Sequence, residues 1–193
     1  MEPRQAFRAY DHAEAAEETA DFCLACGSPL TDRHDGGRPR RACTACGYIR
    51  YRVPAPGVSV LIVDGERFVL CRRGRTELEG GKWCLPCGYI EYDEDFLTAA
   101  VREAEEETGL IIEIASIISV VSNFLQPNVH TVVTVLLARA TGGELRPGDD
   151  TDMARWHSWG NELPVMAFEA DTHIIQRYFA TRPEGAPVDK TLG

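Results

Sequence analysis

The run GYIEYDEDFLTAAVREAEEETGL, residues 88–110, carries two patterns at once. Small and apolar residues recur at helical spacing, which predicts a helix over 94–108. Asp93 is the expected N-cap, with acids in the first turn and Gly109 where a chain leaves a helix in the left-handed conformation. With Phe96 set at zero, Leu97, Ala100, Val101, Ala104 and Thr108 complete a stripe covering about 0–140°. Glu103, Glu106 and Glu107 fall at about 340°, 280° and 20°, one face immediately beside that stripe, while Glu105 at about 180° lies opposite. Like charges three and four residues apart weaken a helix. Their grouping calls for a compensating cation, and clustered hard oxygen donors suit Mg²⁺ or Mn²⁺. Arg102 can pair with one carboxylate and hold its rotamer through a planar fork. The alternative is a solvated acidic face.

The full string decides between them. Gly88, Glu94, Arg102, Glu103, Glu106, Glu107 and Gly109 match every fixed position of the pattern G-x5-E-x7-R-E-U-x-E-E-x-G-U, with Ala104 a small occupant of its apolar site. Over residues 55–180 the chain therefore resembles the Nudix hydrolase family. The resemblance implies an α/β fold, an α/β/α sandwich with a mixed β-sheet. It implies that Glu103, Glu106 and Glu107 bind divalent cations and that one of them assists the attacking water. Arg102 would orient a carboxylate, Glu94 would support the loop, and the carbonyl at or beside Gly88 would add a ligand. A further acid from a loop after the box is common in the family. Asp149, Asp150 and Asp152 lie suitably downstream, Asp150 being the first choice, against a plain acidic turn after Pro147-Gly148. Arg72 and Arg73 leave a strand just before a Gly-rich loop. They read either as substrate-phosphate contacts or as an exposed strand-end pair.

Outward from the box, GVSVLIVDG and RFVLCRR are β-rich runs around Asp64-Gly65, a hairpin signal. IIEIASIISVVSNF, HTVVTVLLARA and ARWHSW read as strands and EADTHIIQRYFA as a closing helix. Upstream, Cys23-x2-Cys26 and Cys43-x2-Cys46 stand 16 residues apart, the spacing of a four-cysteine zinc ribbon. Four thiolates close the shell, so zinc there would be structural and His34 in the intervening loop would stay solvated. Cys71, Cys84 and Cys87 read as packed core thiols. The expected division is a flexible or short helical lead (1–21), the zinc ribbon (22–53), a Nudix domain (54–181) opening at Pro54-Ala-Pro56-Gly57, and a loose tail (182–193).

The formal net charge of -10 and pI of about 5.0 argue against a non-specific nucleic-acid binder. An acidic protein can still take a small anion when divalent cations invert the local sign. No stretch reaches the ~18 apolar residues of a membrane span, and no export signal precedes the odd set of seven cysteines. The expectation is a cytoplasmic protein, with a homodimer left open. A ribbon ahead of such a domain is similar to the NADH pyrophosphatases. Their SQPWPFPxS array is replaced here by Ser122-Asn-Phe-Leu-Gln-Pro127, and the compact layout resembles a smaller group of FAD and ADP-ribose pyrophosphatases. The implied function is Mg-dependent cleavage of the diphosphate in a nucleotide derivative, FAD or ADP-ribose before NAD(H), giving AMP plus a second phosphate product. The alternative is a nucleotide-sensing module whose arginine-rich ribbon binds nucleic acid or a partner protein.

Overall fold

The computed structural model describes residues 5–10 and 20–189. Its centre is the β-branched hairpin: β5 (Ala55–Asp64) turns through Gly65, at φ +59°, into β6 (Arg67–Arg73). The two strands pair only beside the turn, at Val63–Phe68 and Asp64–Arg67, and then diverge. Into the opening come β7 (Trp83–Cys84), which pairs with β6, and β8 (Cys87–Tyr89), which pairs with β5. The long strands β9 (Leu110–Gln126) and β10 (Val129–Gly143) form an antiparallel hairpin, and β10 lies parallel to β5 with Val133 opposite Gly57. β11 (Thr151–Ser158) closes the other side on β6. The sheet is mixed, as the resemblance implies.

Alternation along β5 supplies both faces of the sandwich. Val58, Val60 and Ile62 pack with Ala99, Ala100 and Ala104 of the helix α1 (Phe96–Thr108). Leu61, with Phe68, Leu70 and Val135, packs against Ala170, Ile174, Ile175 and Phe179 of α2 (Glu169–Thr181). Alanines on α1 let the helix sit close to the sheet. Its buried residues include Glu103 and Glu107, whereas Val101 is exposed. The inward face is thus centred nearer the carboxylates than the apolar stripe alone indicates. The cap also differs from expectation. Asp95, not Asp93, accepts the amides of Leu97 (2.7 Å) and Thr98 (3.0 Å), and no acid occupies the first turn. Gly109 ends the helix at φ +68°, as expected.

Two terminal expectations are corrected. Ala6–Arg8, expected to be flexible or helical, form strand β1, parallel to Ser122–Phe124 of β9. The tail, expected to be loose, places Ala186–Pro187 on the same edge of β9 beside Ser116 and Ile117, as strand β12. Both segments satisfy backbone groups that an open edge would leave unpaired. Residues 1–4 and 11–19 of the lead, and residues 190–193, lie outside the described residues. In the ribbon, β2 (Leu30–Asp35), β3 (Arg38–Cys43) and β4 (Ile49–Arg50) form a separate antiparallel sheet over a core of Cys23, Leu30 and Cys43. Among the described residues no helix is long and apolar enough to cross a membrane.

Candidate active site

Arg102 organises the acidic face. Its Nε and Nη2 donate to the two oxygens of Glu94 (2.6 and 2.8 Å), Nη1 to Glu103 (2.7 Å) and Glu106 (3.0 Å), and Nη2 also to the Tyr89 carbonyl (3.1 Å). The fixed fork ties the loop before the helix, strand β8 and two carboxylates of α1 into one unit. Glu94, held below the usual carboxylate range by Arg102, also accepts the Glu91 amide (3.2 Å).

Glu103 lies directly over Gly88: Oε2 is 2.5 Å from where a Gly88 Cβ would stand, and Oε1 and Cδ are closer still. Any side chain there would displace the Glu103 carboxylate. Burial pushes the Glu103 carboxyl up despite Arg102. Glu107 is 1% exposed and accepts the Cys87 amide on Oε2 (2.9 Å). Burial, with Asp150 and the Cys87 thiol beside it, pushes its carboxyl well above the usual range.

Of the downstream acids, Asp150 joins this group. The loop that carries it is fixed on the end of α1: the Arg146 amide donates to Thr108 O (2.9 Å), Thr151 Oγ1 donates to Glu107 O (3.1 Å), and Gly148 packs against the Glu106 carbonyl where no Cβ would fit. Asp150 Oδ2 meets Arg73 Nη2 at 3.5 Å, while its buried Oδ1 has no partner. A buried carboxyl beside a half-buried one whose Oδ1 is orphaned calls for a cation between them. Glu103, Glu106, Glu107 and Asp150 are all hard oxygen donors, so the residues present fit Mg²⁺ or Mn²⁺. Asp149, at φ +47°, borders the same cavity, and Asp152 faces elsewhere.

The arginine pair does not act together. Consecutive residues of β6 point to opposite faces. Arg73 is buried, donates to Leu78 O (2.6 Å) and holds the Gly-rich loop beside the cavity. Arg72, expected at substrate phosphate, forms instead a two-pronged pair with Asp152 (2.6 and 3.1 Å) and does not border the cavity.

In the ribbon, the Sγ atoms of Cys23 and Cys46 are 3.6 Å apart, as are those of Cys26 and Cys43, and all four lie within 4.8 Å of one another. A zinc ion with Zn–S bonds of about 2.3 Å holds its sulfurs about 3.8 Å apart, so the donors fit it. Cys71 and Cys84 are fully buried, and Cys87 serves the site through its amide rather than its thiol.

A cavity of 480 Å³ runs from Glu103, Asp149 and Asp150, with Phe168 beside Arg73, across the sheet to Asn123 and Thr131. The last two were not legible as site residues, because their approach depends on strand order. Asp171, near the start of α2, also borders the cavity; its Oδ2 accepts the Leu85 amide (3.0 Å), and burial raises its carboxyl to about 7. Its one sequence signal is an acid in the first turn of a predicted helix.

Comparison with known proteins follows the same lines. A model of the NUDIX domain matches residues 53–184, and a zinc-ribbon model described as Nudix N-terminal matches residues 21–52. The chain is 35% identical over 132 residues to an ADP-ribose pyrophosphatase of Methanocaldococcus jannaschii, covering 68% of this chain and 76% of that protein. It is 33% identical over 97 residues to the NAD-capped RNA hydrolase NudC of Haemophilus influenzae, covering 50% of this chain but only 36% of that one. The crystal structure of a NUDIX hydrolase from Nitrosomonas europaea matches with a TM-score of 0.74 at 28% identity, over 88% of this chain and 96% of that chain. With a domain match reaching from the connector before β5 to beyond α2, the chain belongs to the Nudix hydrolase family and carries that family's N-terminal zinc-ribbon module.

Proposed function

We propose that this enzyme hydrolyses the diphosphate of a nucleotide derivative, ADP-ribose first, with FAD and NAD(H) as further candidates. The observation that carries the reading is that Glu103 and Asp150 border one cavity of 480 Å³, with the buried Glu107 beside Asp150. The likeness to the archaeal ADP-ribose pyrophosphatase, over most of both chains, supports the choice of substrate. Glu103, Glu106 and Glu107, with Asp150 and the carbonyl at or beside Gly88, would hold the divalent cations. Bound there, Mg²⁺ or Mn²⁺ supplies charge neutralisation and Lewis acidity for the diphosphate. Arg102 fixes the rotamers of Glu103 and Glu106 before substrate arrives, so little reorganisation remains for the reaction. Water adds to one phosphorus and the bridging P–O bond breaks. The proton lost by water passes to a carboxylate of the cluster, and the products are AMP and ribose 5-phosphate. Cys23, Cys26, Cys43 and Cys46 would hold one structural zinc.

The test is chromatography of ADP-ribose, FAD and NADH digests with and without Mg²⁺ or Mn²⁺. The expected result is metal-dependent release of AMP, fastest from ADP-ribose, and a loss in kcat of at least ~10²-fold for Glu107→Gln. Absence of AMP from all three substrates with either metal refutes the reading.

A further inference from the structure

Asn123 is 7% exposed and Thr131, its cross-strand partner on β10, 6%. Both border the cavity, yet Asn123 Oδ1 has no hydrogen-bond partner. A buried, unpaired amide oxygen weakens a fold and invites a functional explanation. Directly opposed residues of an antiparallel pair share a face, and by the same register Val133 and Gly57 lie on it too. This strip is the cavity floor.

Its position relative to the carboxylates is set by strand order. β9, β10 and β5 are successive neighbours, and β8, with Gly88 under Glu103, pairs with the far edge of β5. Three strand spacings separate Asn123 from Gly88, about 14 Å across the sheet. That leaves room for a phosphate, a ribose and a purine laid end to end. Val133 and Leu125 give the far end apolar walls for a flat ring, and Asn123 is the polar group between them. Because the unpartnered atom is an acceptor, the ligand must bring a donor, which on the flat ring of a base is an N–H. A carboxamide offers acceptor and donor in one plane, the complement of the 6-amino group and adjacent ring nitrogen of adenine.

We infer that Asn123, with Thr131 beside it, forms the base-recognition end of the cavity and reads the 6-amino edge of the adenine in an adenosine diphosphate derivative. This rests on the hydrolase reading above and deepens it: the adenosine half lies on the sheet floor, and the variable half of the substrate lies on the other side of the carboxylates.

The experiment compares kcat/KM for ADP-ribose and for its purine analogue with hydrogen in place of the 6-amino group. The wild-type enzyme prefers ADP-ribose by at least ~10-fold, because a site built around a hydrogen bond rejects a ligand lacking it. In Asn123→Ala the preference shrinks to within about twofold, through loss of ADP-ribose turnover. Asn123→Asp, of the same shape, guards against a folding defect. It keeps the acceptor and so keeps the preference for the amino-bearing substrate, while its KM rises. Equal use of both substrates by the wild type, or an unchanged preference in Asn123→Ala, overturns the base assignment and leaves the hydrolase reading standing. No turnover of either substrate by the wild type overturns both readings.

Discussion

Replacing Gly88 by alanine separates the fold from the chemistry. The backbone of Gly88 is not in the left-handed region, so alanine can adopt it. The obstacle is Glu103, whose three carboxyl atoms all lie within 2.5 Å of the new methyl position, where ordinary contact begins at 3.4 Å. The carboxylate must withdraw by about 1 Å, breaking its register with Arg102. For stability this is cheap, since the clashing atoms are the far end of a flexible side chain. For catalysis, a 1 Å displacement of a positioned group costs on the order of 10²-fold. Gly88→Ala should therefore melt within a few degrees of wild type yet lose about 10²-fold in kcat for metal-dependent ADP-ribose hydrolysis. Adding Glu103→Asp shortens the carboxylate arm and should recover part of that loss, the non-additivity expected of two residues in contact. Thermal melts and AMP release, measured on the same preparations, check both halves. A folded Gly88→Ala enzyme with kcat within threefold of wild type would refute the placement of Glu103 in the catalytic centre.

Asp150→Asn should lower kcat by about 10²-fold while the metal-free protein melts no lower than wild type, because one of two adjacent carboxyls has been neutralised; a lower melt with unaltered turnover contradicts this. Asp171, with its carboxyl at about 7 against an ordinary 3.8, binds its proton more tightly folded than unfolded, even with the Arg73 cation facing it and the Leu85 amide donating to it. Its contribution to stability is complete near pH 4 and is lost as pH rises to about 7, amounting to about 4 kcal/mol at about 1.4 kcal/mol per pH unit. Urea titrations of Asp171→Asn should match wild type near pH 4 and show the variant more stable above pH 7; parallel pH profiles exclude the linkage. The double replacement of Cys23 and Cys43 by Ser should abolish one equivalent of bound zinc per chain, seen by elemental analysis, with ADP-ribose kcat retained within about threefold because those thiols build a closed structural site; complete loss of turnover from a folded domain assigns the ribbon a part in catalysis.

The parts of this site that could be read in the sequence share one property: they are local. A rotation of 100° per residue places Glu103 and Glu107 together on α1 whatever surrounds the helix, and two short Cys-x2-Cys turns bring thiols together in pairs. Asp95 rather than Asp93 is the cap because the helix begins at Phe96, two residues later than its pattern alone indicates. The separation of Arg72 from Arg73 is likewise local, since the two-residue period of a strand sends neighbours to opposite faces. Asn123 and Thr131 could not be found in this way. Their value depends on β10 lying between β9 and β5, with partners on β10 and β5 76 residues apart in sequence, and nothing in their local pattern encodes it. The same holds for β1, three residues whose strand character exists only because β9 offers a free edge.

Strand β1 also changes what the ribbon is mechanically. The chain enters the Nudix sheet at Ala6–Arg8, leaves to build the ribbon, and returns to the sheet at Ala55. The ribbon is therefore a closed excursion fastened at both ends, not a pendant. Losing its zinc would melt the excursion without releasing it, and the tether keeps the folded and melted forms at the same high effective concentration beside the domain. It follows that a chain begun at Pro54 lacks more than a ribbon: it also lacks the cover over Ser122–Phe124, and bares a strand edge able to pair with another copy. Excising residues 20–52 and bridging the gap, rather than truncating, is the way to ask what the ribbon does.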